Sequence, residues 1–362
     1  MSNSKVRNIT WQTKKLDEII KLEYGKPLPK NLRSTERKYP VYGANGIKDY
    51  SNSFYFDKPS IIVGRKGSAG ELKLANGKFW PLDVTYFVKF DEKKYELKFL
   101  YLLLLTLNLP KLAKGVKPGI NRNEIYSIFV KIPESLREQK RIVGILDGVF
   151  EKINKAKENT EKNLRNSHEL FESYLKSIFS NSKWESRSLI DICNNLDSKR
   201  VPVTKRDRFT GKYPYYGASG IVDYVNKYLF DEDLLLVSED GANLLARRYP
   251  IAFSINGKAW VNNHAHVLRF EKIESQKFVE YFLNSINLDS YVSGMAQPKL
   301  NQKMLNSIQI PYPHFAEQKS IVKKLDALSE QTKKLEEIYK QKLADLEELK
   351  KSVLSIAFSG EL

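Results

Sequence analysis

The sequence predicts an α+β chain in which two similar mixed α/β domains are separated by two long helices that pair as an antiparallel coiled coil, with an internal pseudo-twofold duplication. Three observations predict it. The chain repeats itself once, each repeat opens with short β-type runs broken by Gly, Asn and Pro, and each closes on about 40 residues of helical heptad spacing.

The repeat comes first. YPVYGANGI begins at Tyr39 and YPYYGASGI at Tyr213, 174 residues later. Trp11 matches Trp184 with Leu16 over Leu189, and Phe56-Asp57 matches Phe230-Asp231. NGKFW at 76–80 answers NGKAW at 256–260, now 180 residues apart, so the second copy carries about six extra residues between them. Asn121 pairs with Asn301, Glu138-Gln139-Lys140 with Glu317-Gln318-Lys319, and Phe179-Ser180 with Phe358-Ser359. The unit is far longer than a solenoid repeat, so the pattern is domain duplication. Two similar units suit a ligand with two sites.

The strands follow from PSIIVG at 59–64, DVTYFVKF at 83–90, DLLLVS at 233–238 and AHVLRF at 265–270. KFLYLLLLTLNL at 98–109 and QKFVEYFLNSINL at 276–288 read as helices. After Pro133 and again after Pro313 the Gly and Pro punctuation thins out. In the second copy Ile321, Leu325, Leu328, Thr332, Leu335, Tyr339, Lys342, Leu346, Leu349, Val353 and Ile356 recur in alternating steps of four and three. The first copy shows the same register at Ile142, Leu146, Val149, Ile153 and Ala156. It turns polar at Thr160, Asn163 and Ser167, then recovers at Leu170 and Tyr174. A helix of about 36 residues spans about 54 Å. For the first helix to hand over to the second globular domain at its far end, an antiparallel pair is the simple solution. The expected boundaries are a domain at 1–133, a helix at 134–180, a domain at 181–312 and a helix at 313–362.

Charge points to the partner. Sixty Lys and Arg face 43 Asp and Glu, giving +17. That excess favours a polyanion, because each neutralised phosphate releases condensed counterions. One cysteine, Cys193, permits neither an internal disulfide nor a cysteine-based zinc site. The first residues, MSNSKVRNITWQ, lack the apolar core of a signal peptide, and FLYLLLLTLNL at 99–109 is too short to span a bilayer. A cytoplasmic chain without membrane contact is the expectation.

Candidate contacts come from the repeated polar segments. Tyr42, Gly43 and Asn45, with Tyr216, Gly217 and Ser219, sit at turns where glycine lets backbone approach a groove and Asn or Ser donates to phosphate or bases. Arg65, Lys66 and Ser68 lie in a Gly-bounded loop; Arg suits the guanine edge and Lys suits phosphate. The second copy has SEDGANLLARR there, so its loop is acidic at Glu239 and Asp240, which suit cytosine's amino group. Asn243 suits adenine, and Arg247 follows. Lys117, Asn121 and Arg122 are matched by Gln297, Lys299 and Asn301, each set before a helical turn that can grip phosphate or simply be capped. His264 and His266 share one face if they lie on a strand, as structural or DNA-facing residues rather than metal ligands. No Walker A, GxSxG or HExxH segment occurs, nor the Asp/Asn-Pro-Pro-aromatic tetrapeptide of adenine methyltransferases. No catalytic residue, cofactor or metal is expected.

From about Trp11 to Leu362 the chain resembles the specificity subunits of Type I restriction-modification systems, the HsdS family. The resemblance is carried by the YPVYGANGI and YPYYGASGI pair, IIVGRKGSAG at 61–70, GMAQPKLNQ at 294–302, the IP…EQK entrances to both helices, and the terminal AFSGEL. It implies that each globular domain is a target recognition domain reading one half of a split sequence on double-stranded DNA. It further implies that the helices set the distance between halves and dock two adenine methyltransferase (modification) subunits, with restriction subunits joining them. A coiled-coil scaffold with protein-binding globular ends is the competing expectation. It makes no use of the charge.

Overall fold

Branched and aromatic runs bounded by turn residues become strands, and the Gly- and Pro-poor stretches become helices. The computed structural model describes residues 10–33, 38–180, 183–294 and 297–361. It divides into two units: residues up to Thr160 together with Gln341 onward, and Glu161–Lys340.

In unit 1 the strands are β1 (Trp11–Lys15), β2 (Ile20–Tyr24), β3 (Tyr39–Gly43), β4 (Gly46–Ser51), β5 (Ser60–Gly64), β6 (Leu72–Ala75), β7 (Trp80–Pro81) and β8 (Thr85–Phe90). Then come α1 (Leu97–Thr106), α2 (Arg122–Tyr126), β9 (Phe129–Pro133) and α3 (Leu136–Phe179). An antiparallel sheet runs β2-β8-β5-β6, a smaller one β4-β3-β7, and β1 pairs with β9. Leu16, Ile61, Val63, Phe99, Leu100 and Leu104 lie at the centre of one core, to which Ile142 and Leu146 of α3 are joined.

Unit 2 repeats this. Its elements are β10 (Ser186–Ser188), α4 (Leu189–Ile192), β11 (Asn194–Asn195), β12 (Thr210–Gly217), β13 (Gly220–Val225), β14 (Phe230–Asp231) and β15 (Leu234–Ser238). They continue with α5 (Asn243–Ala246), β16 (Ala252–Ile255), β17 (Lys258–Val261), β18 (Ala265–Arg269), α6 (Ile273–Ser285), α7 (Gln302–Asn306), β19 (Gln309–Pro311) and α8 (Phe315–Ser359); the part of α3 after Thr160 also belongs to unit 2, and the part of α8 from Gln341 belongs to unit 1. The sheets run β11-β18-β15-β16 and β13-β12-β17-β14, and β10 pairs with β19. The one added strand, β14, answers an isolated Phe56–Phe79 bridge in unit 1. The duplication read from sequence is therefore a duplication of topology, down to the parallel β3–β7 and β12–β17 pairs.

The repeated Glu-Gln-Lys explains itself here. Gln139 is wholly buried at the start of α3, where its amide donates to the carbonyls of Pro133 and Lys94 and accepts from the Glu96 amide. Gln318 of α8 donates to the Pro313 carbonyl and accepts from the Ser275 hydroxyl. A glutamine suits this dry corner because its amide reaches donors and acceptors together on one long side chain.

The long helices pair antiparallel within each unit. In unit 1 Lys157 bridges Glu347 at 2.6 Å, and Lys350 lies over the Phe150 ring. In unit 2 His168 meets Glu336 at 3.2 Å. The heptad register needs correction. Ile142, Leu146, Ile153 and Thr160 are buried, but Asn163 is exposed and Leu170 is 65% exposed. Leu164 and Phe171 take over instead, and Leu175 is buried. In α8, Leu335, Lys342, Leu349 and Ile356 are exposed, while Leu325 and Thr332 are buried. A straight α-helix drifts by about 20° per heptad against a strict 3.5-residue repeat, so one set of positions rotates away from the seam.

Candidate nucleic-acid interface

Three segments far apart in sequence meet at the same end of each globular part. In unit 1 the Gly67 amide donates to the Pro118 carbonyl (2.9 Å) and the Ile120 amide to the Arg65 carbonyl (3.0 Å). In unit 2 the Gly241 amide donates to Pro298 (3.0 Å) and Leu300 to Glu239 (2.8 Å). The turn requires a left-handed residue, and Gly67 (φ +78°) and Gly241 (φ +106°) supply it. The hairpin turn joins them: the Ser238 hydroxyl donates to the Ala218 carbonyl, and a side chain added at Gly64 would meet the Ala44 carbonyl oxygen at 3.1 Å. Hairpin turn, strand-end loop and helix-entry loop thus form one surface in each copy.

Side chains on that surface fall into two groups. Asn45, Lys66, Lys117, Ser219, Gln297 and Lys299 are exposed, and Ser68 is half-buried. Others have structural work. Tyr42 is buried edge-on against Phe79 (5.7 Å), and Tyr216 lies beside Phe253 (6.1 Å). The spaces over Gly43 and Gly217 are filled by the Lys48 and Val222 side chains. Asn121 caps α2 by accepting from the Asn123 amide, and Asn301 caps α7 by accepting from the Met304 amide. Asn243 closes a turn with both the amide and carbonyl of Tyr249. The Arg247 guanidinium donates to the Leu283 and Ile286 carbonyls at the end of α6, where burial lowers its pKa.

Arg65 and Arg122 converge on a residue that sequence reading passed over. Their guanidinium carbons lie 5.4 and 5.0 Å from the ring centre of Tyr24, which is 46% exposed. Arg65 also donates twice to the Asp83 carbonyl (3.0 and 2.6 Å). The ring and carbonyl hold the guanidinium in place before any ligand arrives, which lowers the entropic cost of binding a phosphate or base edge. Tyr24 lies some 40 residues from Arg65 and some 100 from Arg122, so spacing along the chain could not have joined them.

Unit 2 places opposite charge at the equivalent position and then neutralises it. Glu239 is turned inward: one oxygen accepts from Arg200 (2.5 Å) and the other lies 3.2 Å from the Lys299 ammonium. Burial alone would raise its pKa, but Arg200, His266 and Lys299 bring it below the usual carboxylate value. Beneath it, the wholly buried His266 faces the Asp197 carboxylate (2.6 Å) from one nitrogen and the Leu300 carbonyl (2.7 Å) from the other. Asp240 holds exposed His264 through both oxygens, 3.0 and 2.8 Å from Nδ1. The two histidines are therefore committed to separate carboxylates. Among the described residues no cluster of three or more His, Cys, Asp or Glu could hold a metal, and no helix is long and apolar enough to cross a membrane.

A family model described as the type I restriction modification DNA specificity domain matches residues 8–163 and again residues 181–347. The chain is 31% identical over 199 residues to the putative type I restriction enzyme specificity subunit S.HindORF215P of Haemophilus influenzae. That match spans about half the length of each protein, 50% of this one and 51% of the other. Similarity to the type I restriction enzyme EcoDI specificity subunit of Escherichia coli is 26% over 419 residues, covering 98% of this chain and 89% of that one. Among solved structures, a chain from a type I R-M system, studied for complex assembly and conformational transition, has a TM-score of 0.78. At 16% identity it covers 98% of this chain and 100% of that one, a likeness of fold.

Proposed function

The chain belongs to the type I restriction-modification DNA specificity family, and on that premise we propose that it reads a split target on double-stranded DNA, one half per unit, for two modification subunits that dock on its helices. Restriction subunits join that complex. The methyl transfer and the cutting belong to those partners; this chain supplies recognition.

One observation carries the reading. In both units the strand-end and helix-entry loops are joined by equivalent backbone hydrogen bonds and the hairpin turn lies against them, while the side chains they present differ. A scaffold held fixed with variable contacts is what two different half-sites require. Unit 1 offers Arg65, Lys66, Lys117 and Arg122 to phosphates and guanine edges, whereas unit 2 offers Ser219, His264, Gln297 and Lys299. Long-read mapping of adenine methylation, with and without this gene, tests the reading. Loss of one gapped, two-part motif is the expected result, and an unchanged methylation pattern in cells that carry the modification subunits would refute it.

A further inference from the structure

The two copies differ where two readers must differ, and the hairpin turn is one of the places where exposed residues agree. Arg65-Lys66 stands in one unit where Glu239-Asp240 stands in the other, yet both hairpins keep Gly-Ile just past the turn. Ile47 is 51% exposed and Ile221 is 48% exposed, and neither joins a hydrophobic core. A single exposed aliphatic residue is ordinary. The same one stands at the equivalent turn of two diverged copies, where it pairs across the hairpin with Tyr42 or Tyr216 and leaves about half of its side chain open within a polar surface.

We propose that Ile47 and Ile221 are apolar wedges, one pressed into the base stack of each half-site, in a contact that does not depend on sequence. The proposal rests on the DNA-reading function above. A contact common to both units cannot be the one that tells their half-sites apart. A duplex presents apolar surface as thymine methyls, as the deoxyribose carbons of the groove walls and as the faces of an opened base step; the last two exist at every sequence, and of these the opened step encloses an aliphatic side chain most fully. The hairpin ends suit a wedge. Gly46 (φ +111°) and Gly220 (φ +126°) turn the chain tightly, and the Gly43–Gly46 and Gly217–Gly220 pairs close the ladder. Behind each turn the neighbouring sheet is in contact, through Gly64 in unit 1 and through the Ser238 hydroxyl in unit 2. Exposed Asn45 and Ser219 flank the isoleucines with groups suited to phosphate.

The test uses the full chain assembled with its modification subunits, on target duplexes carrying 2-aminopurine at successive steps. Wild-type complex should raise the fluorescence at one step in each half. Ile47→Ala should abolish the rise in one half only and weaken binding about tenfold, in keeping with the loss of one buried aliphatic side chain. The methylated motif should stay unchanged, and Ile47→Leu should restore both signals. Ile221→Ala and Ile221→Leu should do the same in the other half. Three results overturn the wedge alone: unchanged fluorescence and affinity, altered bases in one half of the motif, or loss of a modification subunit with DNA affinity of the chain intact. Failure of the wild-type complex to bind any split target removes the DNA reading, and the wedge with it.

Discussion

An Asp197→Ala variant is expected to lose about 3 kcal/mol of stability in unit 2, because it removes a buried, paired carboxylate and leaves the Val267 amide and the His266 ring without their close partner. The Asp197 carboxylate, only 5% exposed, accepts from His266 Nδ1 and from the Val267 amide (2.8 Å), and it lies 3.5 Å from the Arg200 guanidinium. The two His266 nitrogens face the Asp197 carboxylate and the Leu300 carbonyl. Removing the carboxylate opens this contact beneath the loop that carries Glu239 and Asp240. Hydrogen exchange should therefore speed up in β15 and β18 while β5 and β8 keep their protection. Unchanged exchange in β15 and β18 would refute the coupling. The pH dependence follows the same group. Burial pushes the Asp197 carboxyl up, but the His266 hydrogen bond and charge, the Val267 amide and Arg200 outweigh it, and the net shift is downward. A lowered folded pKa contributes stability that is fully present above the ordinary carboxylate value, about 4. That contribution is lost as the pH falls through the lowered value. Acid should loosen unit 2 at this cluster, and Asp197→Asn should flatten that dependence.

Salt provides the second large effect. If the +17 chain holds DNA through six or more phosphates, affinity should fall about 10³-fold or more between 50 and 200 mM salt. Each lost cation should reduce the slope of log affinity against log salt by about one. Lys66→Ala and Lys117→Ala should each do so. Lys299→Ala should do less, because that ammonium already faces Glu239. A flat salt response would favour a protein-binding scaffold over a DNA reader, and equal slopes for all three variants would overturn the weaker role given to Lys299.

Local patterns were legible in the sequence, and long-range closure was not. The apolar runs at 59–64, 83–90, 233–238 and 265–270 are central strands because branched and aromatic side chains fit a two-sided buried sheet. The repeat also transferred hydrogen bonds faithfully: Gly67 and Gly241 do the same work 174 residues apart. The heptads foretold helix pairing but misplaced its seam after Thr160, since a strict seven-residue count ignores the drift of a straight helix. In the candidate surface, spacing identified the loops but not the fate of their side chains. Arg247 looks like a loop cation and is a cap on α6; Glu239 looks like a base reader and is consumed by Arg200 and Lys299. The Tyr24 platform was invisible because its three members come from three separate segments.

If each unit reads its own half of the target, exchanging one unit's globular part should exchange one half-site. Residues 10–133 would be replaced by the corresponding segment of a relative with a known split motif, and adenine methylation would be mapped in cells that supply the modification subunits. A hybrid motif is expected, in which one half is the relative's and the other half is unchanged. A motif altered in both halves, or one that keeps both original halves, would contradict that expectation.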